Sequence, residues 1–119
     1  MANAFKEKSQ RTWNQALACK GHELFDAAAN RSYYAVFQAV IGYEEFRRQE
    51  KVEVQGKHQL ALDVVRKKCG PGQMNLLKKL YTLRIKADYF PESVKESELE
   101  RLILPMQDLR LLCITLCEQ

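Results

Sequence analysis

The stretch that decides the fold is residues 23–50, ELFDAAANRSYYAVFQAVIGYEEFRRQE. Apolar residues cover most sides of a helix in its middle, which is typical of a helix at the centre of a bundle, or of one that faces both a core and a partner chain. The pattern predicts the longest helix of the chain, from Glu23 to Glu50. Before it, Gly21 is a typical C-terminal cap and ends a first helix predicted from Ala4 to Lys20.

After this helix, glycine and proline divide the chain. The polar segment 49–57 predicts a loop, and residues 58–68 predict a short third helix, because Gly70-Pro71-Gly72 follows directly. Residues 73–89 predict a fourth helix, which Pro91 stops since its ring removes an amide donor and disfavours helical geometry in the preceding residue.

The last predicted helix begins at Ser93-Val94-Lys95-Glu96, which has the spacing of a capping box. Its apolar residues recur at coiled-coil-like intervals, and Pro105 inside it predicts a bend. Alternating strand patterns are nearly absent, and 119 residues build one core. The sequence therefore predicts a single all-α domain over residues 1–119, an up-and-down four-helix bundle with one short additional helix.

The composition limits the classes of function that are open to the chain. The formal net charge is +4, and the excess lies in residues 1–91, so that part attracts an anion or nucleic acid weakly. Four cysteines form no CxxC pair and only two histidines are present, so no metal site and no cofactor are predicted. Without a secretion signal or a membrane-length apolar stretch, we expect a cytoplasmic protein with reduced thiols and no membrane contact.

Two predicted helices carry polar residues on apolar stripes. Asn30 and Arg31 precede the aromatic pair that begins at Tyr33, while Arg84 and Asp88 are an i,i+4 pair that extends an apolar line of the fourth helix. Buried polar groups need partners. We therefore expect one polar cluster where the second and fourth helices meet, either as a knot that fixes helix register or as a ligand-contacting cleft; its members are Asn30, Arg31, Tyr34, Arg84 and Asp88.

Residues 29–39, ANRSYYAVFQA, resemble the signature of HEPN domains, the higher eukaryote and prokaryote nucleotide-binding helical bundles, and most closely the small stand-alone prokaryotic set. Gly56-Lys57-His58 and the segment from Leu80 to Tyr89 are similar to two further segments of that set. The resemblance runs from about Trp13 to Cys113. It implies a bundle of four or five helices, a homodimer, and a minimal nucleotidyltransferase as partner in a toxin–antitoxin or phage-defence module.

Many HEPN proteins are metal-independent ribonucleases with an arginine followed five to seven residues later by a histidine (R-x4–6-H). The arginine stabilises the phosphorane charge and the histidine handles a proton, so that chemistry needs both. No arginine here has such a histidine. From Arg84 the first allowed position holds Tyr89, a poor proton shuttle at neutral pH, and Lys51 with His58 keeps the separation but replaces the arginine.

Three functions remain open. The leading one is a protein without strong catalysis that binds a nucleotide, an RNA or a partner protein. The second is a ribonuclease with a non-standard site, and its weak catalytic candidates are Arg84, Asp88, Tyr89 and His58. The third is an adaptor that docks a nucleotidyltransferase through the long second and last helices.

The residues that suggest these functions also have simpler structural interpretations. His58 is expected to cap the third helix or bond a backbone carbonyl. Tyr33, Tyr34 and Phe37 are expected in the core or a dimer interface. The basic groups 66–68 and 78–79, with Arg47 and Arg48, are expected on solvated faces, or else as one phosphate-attracting rim.

Overall fold

The computed structural model describes residues 4–117, which form helices and no strand, so the predicted all-α class is confirmed. The helices are α1 (Ala4–Gly21), α2 (Phe25–Arg48), α3 (His58–Cys69), α4 (Pro71–Tyr89) and α5 (Glu96–Cys117).

The ends of α2 show why the predicted bounds need small corrections. The helix begins at Phe25 instead of Glu23, because Glu23 has a left-handed backbone with a φ of 62°. It ends at Arg48, because Gln49 is also left-handed and its N–H donates to the Glu45 carbonyl as a helix cap. Helix α4 begins earlier than predicted, at Pro71, where the first turn needs no amide donor.

The predicted capping box at Ser93 to Glu96 is wrong by two residues. Helix α5 begins at Glu96, and the Lys95 N–H donates to Glu98 Oε1 at 3.0 Å. Lys95 and Glu98 therefore occupy the N-cap and N3 positions that were predicted for Ser93 and Glu96. The reason lies in α2: Asp26 Oδ1 accepts a hydrogen bond from the Val94 N–H at 2.7 Å. That contact holds Val94, which is buried, outside the helix.

Helix α2 lies at the centre, as predicted, and packs against all four other helices. Ala35, Val36 and Val40 in its middle are fully buried. The long helices α1, α2, α4 and α5 alternate in direction: Ser9 of α1 bonds Ala35, and Asn30 and Tyr34 of α2 meet the end of α4. This arrangement confirms a helical bundle.

The short helix α3 runs parallel to α2. Tyr33 meets His58 at the start of α3, whereas Tyr43 meets Lys68 near its end. The loop of residues 49–57 therefore returns along α2 before α3 begins. This return path places the loop and the first residue of α3 beside the middle of α2, where the candidate site lies.

Candidate functional site

The antiparallel packing of α2 and α4 brings the predicted polar residues together. Arg84 Nη2 donates to Tyr34 Oη at 2.8 Å, and Arg84 Nε lies 3.2 Å from Asp88 Oδ2 as an ion pair. The Asn30 amide donates to both carboxylate oxygens of Asp88 at 3.2 Å. Arg31 Nε and Nη2 donate to Asn30 Oδ1 at 2.9 and 2.6 Å.

These contacts form a continuous polar chain, which runs Arg31, Asn30, Asp88, Arg84, Tyr34. All five predicted members are thus in one cluster. The expected burial holds only in part: the Arg84 side chain is 15% exposed and that of Asp88 is 27% exposed. Asn30, predicted on a buried stripe, is half-buried. Because α4 ends one residue after Asp88, that end of the seam opens to solvent.

An aromatic cluster lies beside the polar chain. Tyr33, which is 3% exposed, is at its centre, with ring centroids 5.4 Å from those of both Tyr34 and Tyr81. The guanidinium carbon of Arg84 lies 5.2 Å from the Tyr34 ring centre and 5.8 Å from that of Tyr81, within the range of cation–π attraction. Tyr33 and Phe37 are buried as predicted, while Tyr34 and Tyr81 are partly exposed.

His58 is the first residue of α3 and joins this cluster. Its ring stacks on Tyr81 with centroids 3.5 Å apart and an interplanar angle of 17°. Its Nδ1 is hydrogen-bonded to Tyr33 Oη at 2.7 Å. The prediction that His58 caps the helix or bonds a backbone carbonyl is wrong, because the ring is turned toward α2 and α4. Burial, together with the nearby charge of Arg84, lowers the pKa of His58.

The polar and aromatic clusters form the wall of a pocket of about 460 Å³, which we call the aromatic pocket. The loop of residues 54–57 and the start of α1 form its other sides. Among the described residues that line it there is no aspartate or glutamate. Its lining includes rings and cations from four parts of the chain: Lys8, Tyr34, Lys57, His58, Tyr81 and Arg84.

Two predicted catalytic candidates lie outside the aromatic pocket. Tyr89 is 70% exposed and is not part of the lining, so it does not stand in for the missing motif histidine. Asp88 is not part of the lining either, but contacts Arg84 from the polar chain. Of the four candidates, the structure places only His58 and Arg84 at the pocket.

The predicted basic rim does not form as one surface. Arg47 and Arg48 both donate to Glu44, which is 2% exposed. Burial acts to raise the pKa of Glu44, but these hydrogen bonds lower it below its ordinary value. With Lys67 and Lys68 the two arginines line a separate pocket of about 320 Å³. Lys79, by contrast, lies at a groove between α4 and α5.

Sequence reasoning missed the part of the site that depends on the path of the loop. Lys8 of α1 and Tyr81 of α4 were not predicted at a binding site, yet both line the aromatic pocket. Lys57 carried a signal, since it stands in the Gly56-Lys57-His58 segment. Lys8 carried none, because a lysine on an exposed helix face is the common case.

The described residues show neither a metal centre nor a membrane span. Within residues 4–117 no group of three or more His, Cys, Asp or Glu side chains is arranged to hold a metal ion. None of the helices in that range is long and apolar enough to cross a bilayer. Burial raises the pKa of the Cys113 thiol to about 12. Comparison of the chain with family models, curated proteins and solved structures finds no match.

Proposed function

We propose that this chain is a small HEPN-type protein that binds a nucleotide, free or at an RNA end, in the aromatic pocket. The observation that carries the proposal is the composition of the lining: partly exposed rings stand next to three cationic side chains, and the described lining has no carboxylate. A nucleotide has the matching parts, a flat base and a phosphate. The resemblance of residues 29–39 to HEPN signatures supports the same class of ligand.

The geometry supports this proposal for the base and for the phosphate of a nucleotide. Stacking of a base on an aromatic side chain contributes about 1–3 kcal/mol. Tyr34, whose side chain is partly exposed, is the ring we propose for it, because one face of Tyr81 is already covered by His58. The phosphate lies near Arg84, which is already held by Asp88 and Tyr34. A guanidinium fixed before binding loses little conformational freedom when the ligand arrives.

Calorimetric titration with AMP, UMP and a short single-stranded RNA tests this function. Arg84→Gln removes the central cation, and Arg101→Gln is the matched control because Arg101 is an exposed arginine on α5. Since a hydrogen bond to a charged group contributes about 1.5–3 kcal/mol, we expect Arg84→Gln to weaken binding roughly 10- to 100-fold. Equal affinity in the two variants, or no binding to the unaltered protein at millimolar ligand, contradicts the proposal.

One observation favours a second function, a metal-independent ribonuclease with a non-standard site. His58 and Arg84, 26 residues apart in sequence, line one pocket, where burial and the charge of Arg84 lower the pKa of His58. An arginine and a histidine around one phosphate are the groups that such cleavage needs. Incubation with RNA in EDTA tests it: cleavage must disappear in His58→Gln and persist in Tyr89→Phe. Intact RNA with the unaltered protein refutes this function and leaves the binding function standing.

We further propose that the outer surface of α4 and α5 holds a partner. A groove of about 560 Å³ lies between them and is lined by Leu76, Ile85 and Phe90, while Leu104 of α5 is 69% exposed. A second copy of the chain is the leading occupant, and a minimal nucleotidyltransferase is the alternative that makes this protein an adaptor. Light scattering of Phe90→Glu, a change in the exposed part of the groove lining, against the unaltered protein tests the homodimer: equal monomer masses for both contradict it.

The cellular setting follows from the resemblance alone. It suggests a cytoplasmic toxin–antitoxin or defence pair. Co-purification with a nucleotidyltransferase encoded beside this chain tests that setting.

A further inference from the structure

The contact between Tyr33 and His58 indicates which tautomer of His58 is present. A neutral imidazole has one nitrogen that donates a hydrogen bond and one that accepts, and the bond made by one nitrogen decides the role of the other. Here Tyr33 Oη and His58 Nδ1 are 2.7 Å apart. Which of the two atoms carries the shared proton therefore determines what His58 Nε2 can do.

The surroundings of Tyr33 decide the direction of this bond. The side chain is almost fully buried, and burial raises the pKa of its phenol, so the hydroxyl keeps its proton. A buried hydroxyl needs an acceptor. Within residues 4–117 the structure gives the Tyr33 hydroxyl one hydrogen-bond partner, His58 Nδ1. If Nδ1 carried a proton instead, the phenol proton would have no acceptor. Tyr33 Oη–H therefore donates to Nδ1.

The surroundings of His58 also restrict rotation of its ring and disfavour its protonation. Its face lies on Tyr81 with centroids 3.5 Å apart, so turning the imidazole out of its plane would break the stack, and a 180° flip within the plane would break the Tyr33 bond. Burial and the charge of Arg84 both disfavour the imidazolium. His58 lines the aromatic pocket, and no described residue is hydrogen-bonded to its Nε2.

We propose that Tyr33 is a positioning residue that holds His58 with its proton on Nε2, so that His58 donates a hydrogen bond to an oxygen of the bound phosphate. The phosphate part rests on the proposed function. The donor then joins the N–H groups of Lys8, Lys57 and Arg84, which makes the polar lining complementary to an oxyanion. A histidine whose lone pair is occupied by Tyr33 is not the base that removes a proton from an RNA hydroxyl, so this inference favours binding over cleavage.

Long-range ¹H–¹⁵N correlation spectra of protein labelled at histidine test the tautomer directly. The spectra are recorded above the ordinary pKa range of histidine, and the exposed His22 is the internal control. We expect His58 to show a fully unprotonated Nδ1 and a fully protonated Nε2, whereas the exposed His22 shows the averaged shifts of two exchanging tautomers. In Tyr33→Phe, which removes only the hydroxyl, the His58 shifts should move to averaged values like those of His22. A proton on Nδ1, or an unchanged His58 pattern in Tyr33→Phe, overturns the positioning role.

Binding of AMP and of inorganic phosphate tests the donor role. His58→Gln keeps a terminal N–H donor on a side chain of similar reach, while His58→Leu removes it. Because one hydrogen bond changes affinity by roughly 3- to 10-fold, we expect His58→Leu to lose that factor for both probes and His58→Gln to retain most of it. Equal losses in the two variants overturn the donor role. Absence of binding to the unaltered protein overturns the proposed function and the phosphate part together, while the tautomer spectrum still decides the role of Tyr33.

Discussion

Arg84 and Arg110 are both largely removed from water, but their surroundings are opposite. Arg84 lies between α2 and α4 with a carboxylate, a phenol oxygen and two aromatic faces around it, and it reaches the aromatic pocket. Arg110 of α5 is 2% exposed, and its Nη2 donates to Gln10 at 3.1 Å. Within residues 4–117 its Nε and Nη1 have no hydrogen-bond partner; Arg84 Nε has none there either, but lies 3.2 Å from Asp88 as an ion pair. The guanidinium carbon of Arg110 lies 5.5 Å from the Trp13 ring centre.

This difference separates the arginine that the proposed function uses from one that is merely buried. Burial alone lowers the pKa of Arg110, because no carboxylate among residues 4–117 compensates its charge. Arg84 has Asp88 as counter-ion and an open side toward the pocket. A positive charge that is compensated, oriented and accessible can bind a ligand, whereas an uncompensated buried charge only opposes folding.

The largest effect on stability is expected at Arg110. Arg110→Met replaces an uncompensated buried cation by an apolar side chain of similar length, and the exposed Gln10 is then free to hydrogen-bond to water. We expect the free energy of unfolding in urea to rise by about 1–3 kcal/mol. AMP affinity should not change. A fall in stability of similar size would mean that the cation and the Trp13 ring hold α1 and α5 together.

The same substitution at Arg84 should act in the opposite direction. Arg84→Met leaves Asp88 and Tyr34 without their guanidinium, so we expect a loss of about 1–2 kcal/mol in urea unfolding, moderated because Asp88 is partly accessible to water. Equal signs at Arg84 and Arg110 would remove the distinction between the two arginines.

A smaller loss is expected at the middle of the polar chain. Asn30→Leu removes the donor to Asp88 and the acceptor of Arg31, but all three groups retain some access to water. We expect a decrease of about 0.5–1 kcal/mol, read from the urea midpoint. Asn75→Leu on the exposed face of α4 is the control and should stay near the unaltered value. A shift no larger than that of the control shows that the polar chain adds nothing to stability.

The smallest effect is a pH dependence at His58. Burial and Arg84 lower its pKa in the folded state, so the unfolded chain binds more protons in the window just below the ordinary histidine pKa of about 6.5. Stability from this group is therefore full above that value and falls as the pH drops below it. His58→Gln should flatten the profile between about pH 7 and pH 5. An identical slope of unfolding free energy against pH in the unaltered protein and in His58→Gln contradicts the lowered pKa of His58.

The sequence predicted the parts that depend on local pattern. Helical periodicity placed Asn30 and Arg31 on one helix and Arg84 and Asp88 on another, and their polarity on apolar stripes indicated that they meet. The HEPN assignment itself stays a prediction. His58 was a site candidate through the resemblance, but its contacts with Tyr33 and Tyr81 could not be predicted. They depend on the return of the polar loop 49–57 along α2, and such a path is set by long-range packing and not by local turn chemistry.

The burial of Arg110 is a second feature that was not predicted from the sequence. A charged residue in a helix is usually interpreted as solvent-facing, and the apolar stripe predicted for the last helix therefore did not include Arg110. The structure buries Arg110 among that stripe, between Met106 and Cys113. The spacing from Met106 and Cys113 does place position 110 on the stripe, but the residue type argued against burial, since arginine stands on exposed faces of this chain at Arg101 and Arg11.

Chemical-shift mapping with AMP on ¹⁵N-labelled protein tests the central claim, a nucleotide site at the aromatic pocket, most directly. We predict saturable shifts of the backbone amides from Gln55 to His58 and of the Arg84 Nε–H, with the amides around the α4–α5 groove unmoved. Shifts confined to that groove, or a spectrum unchanged at millimolar AMP, would contradict it.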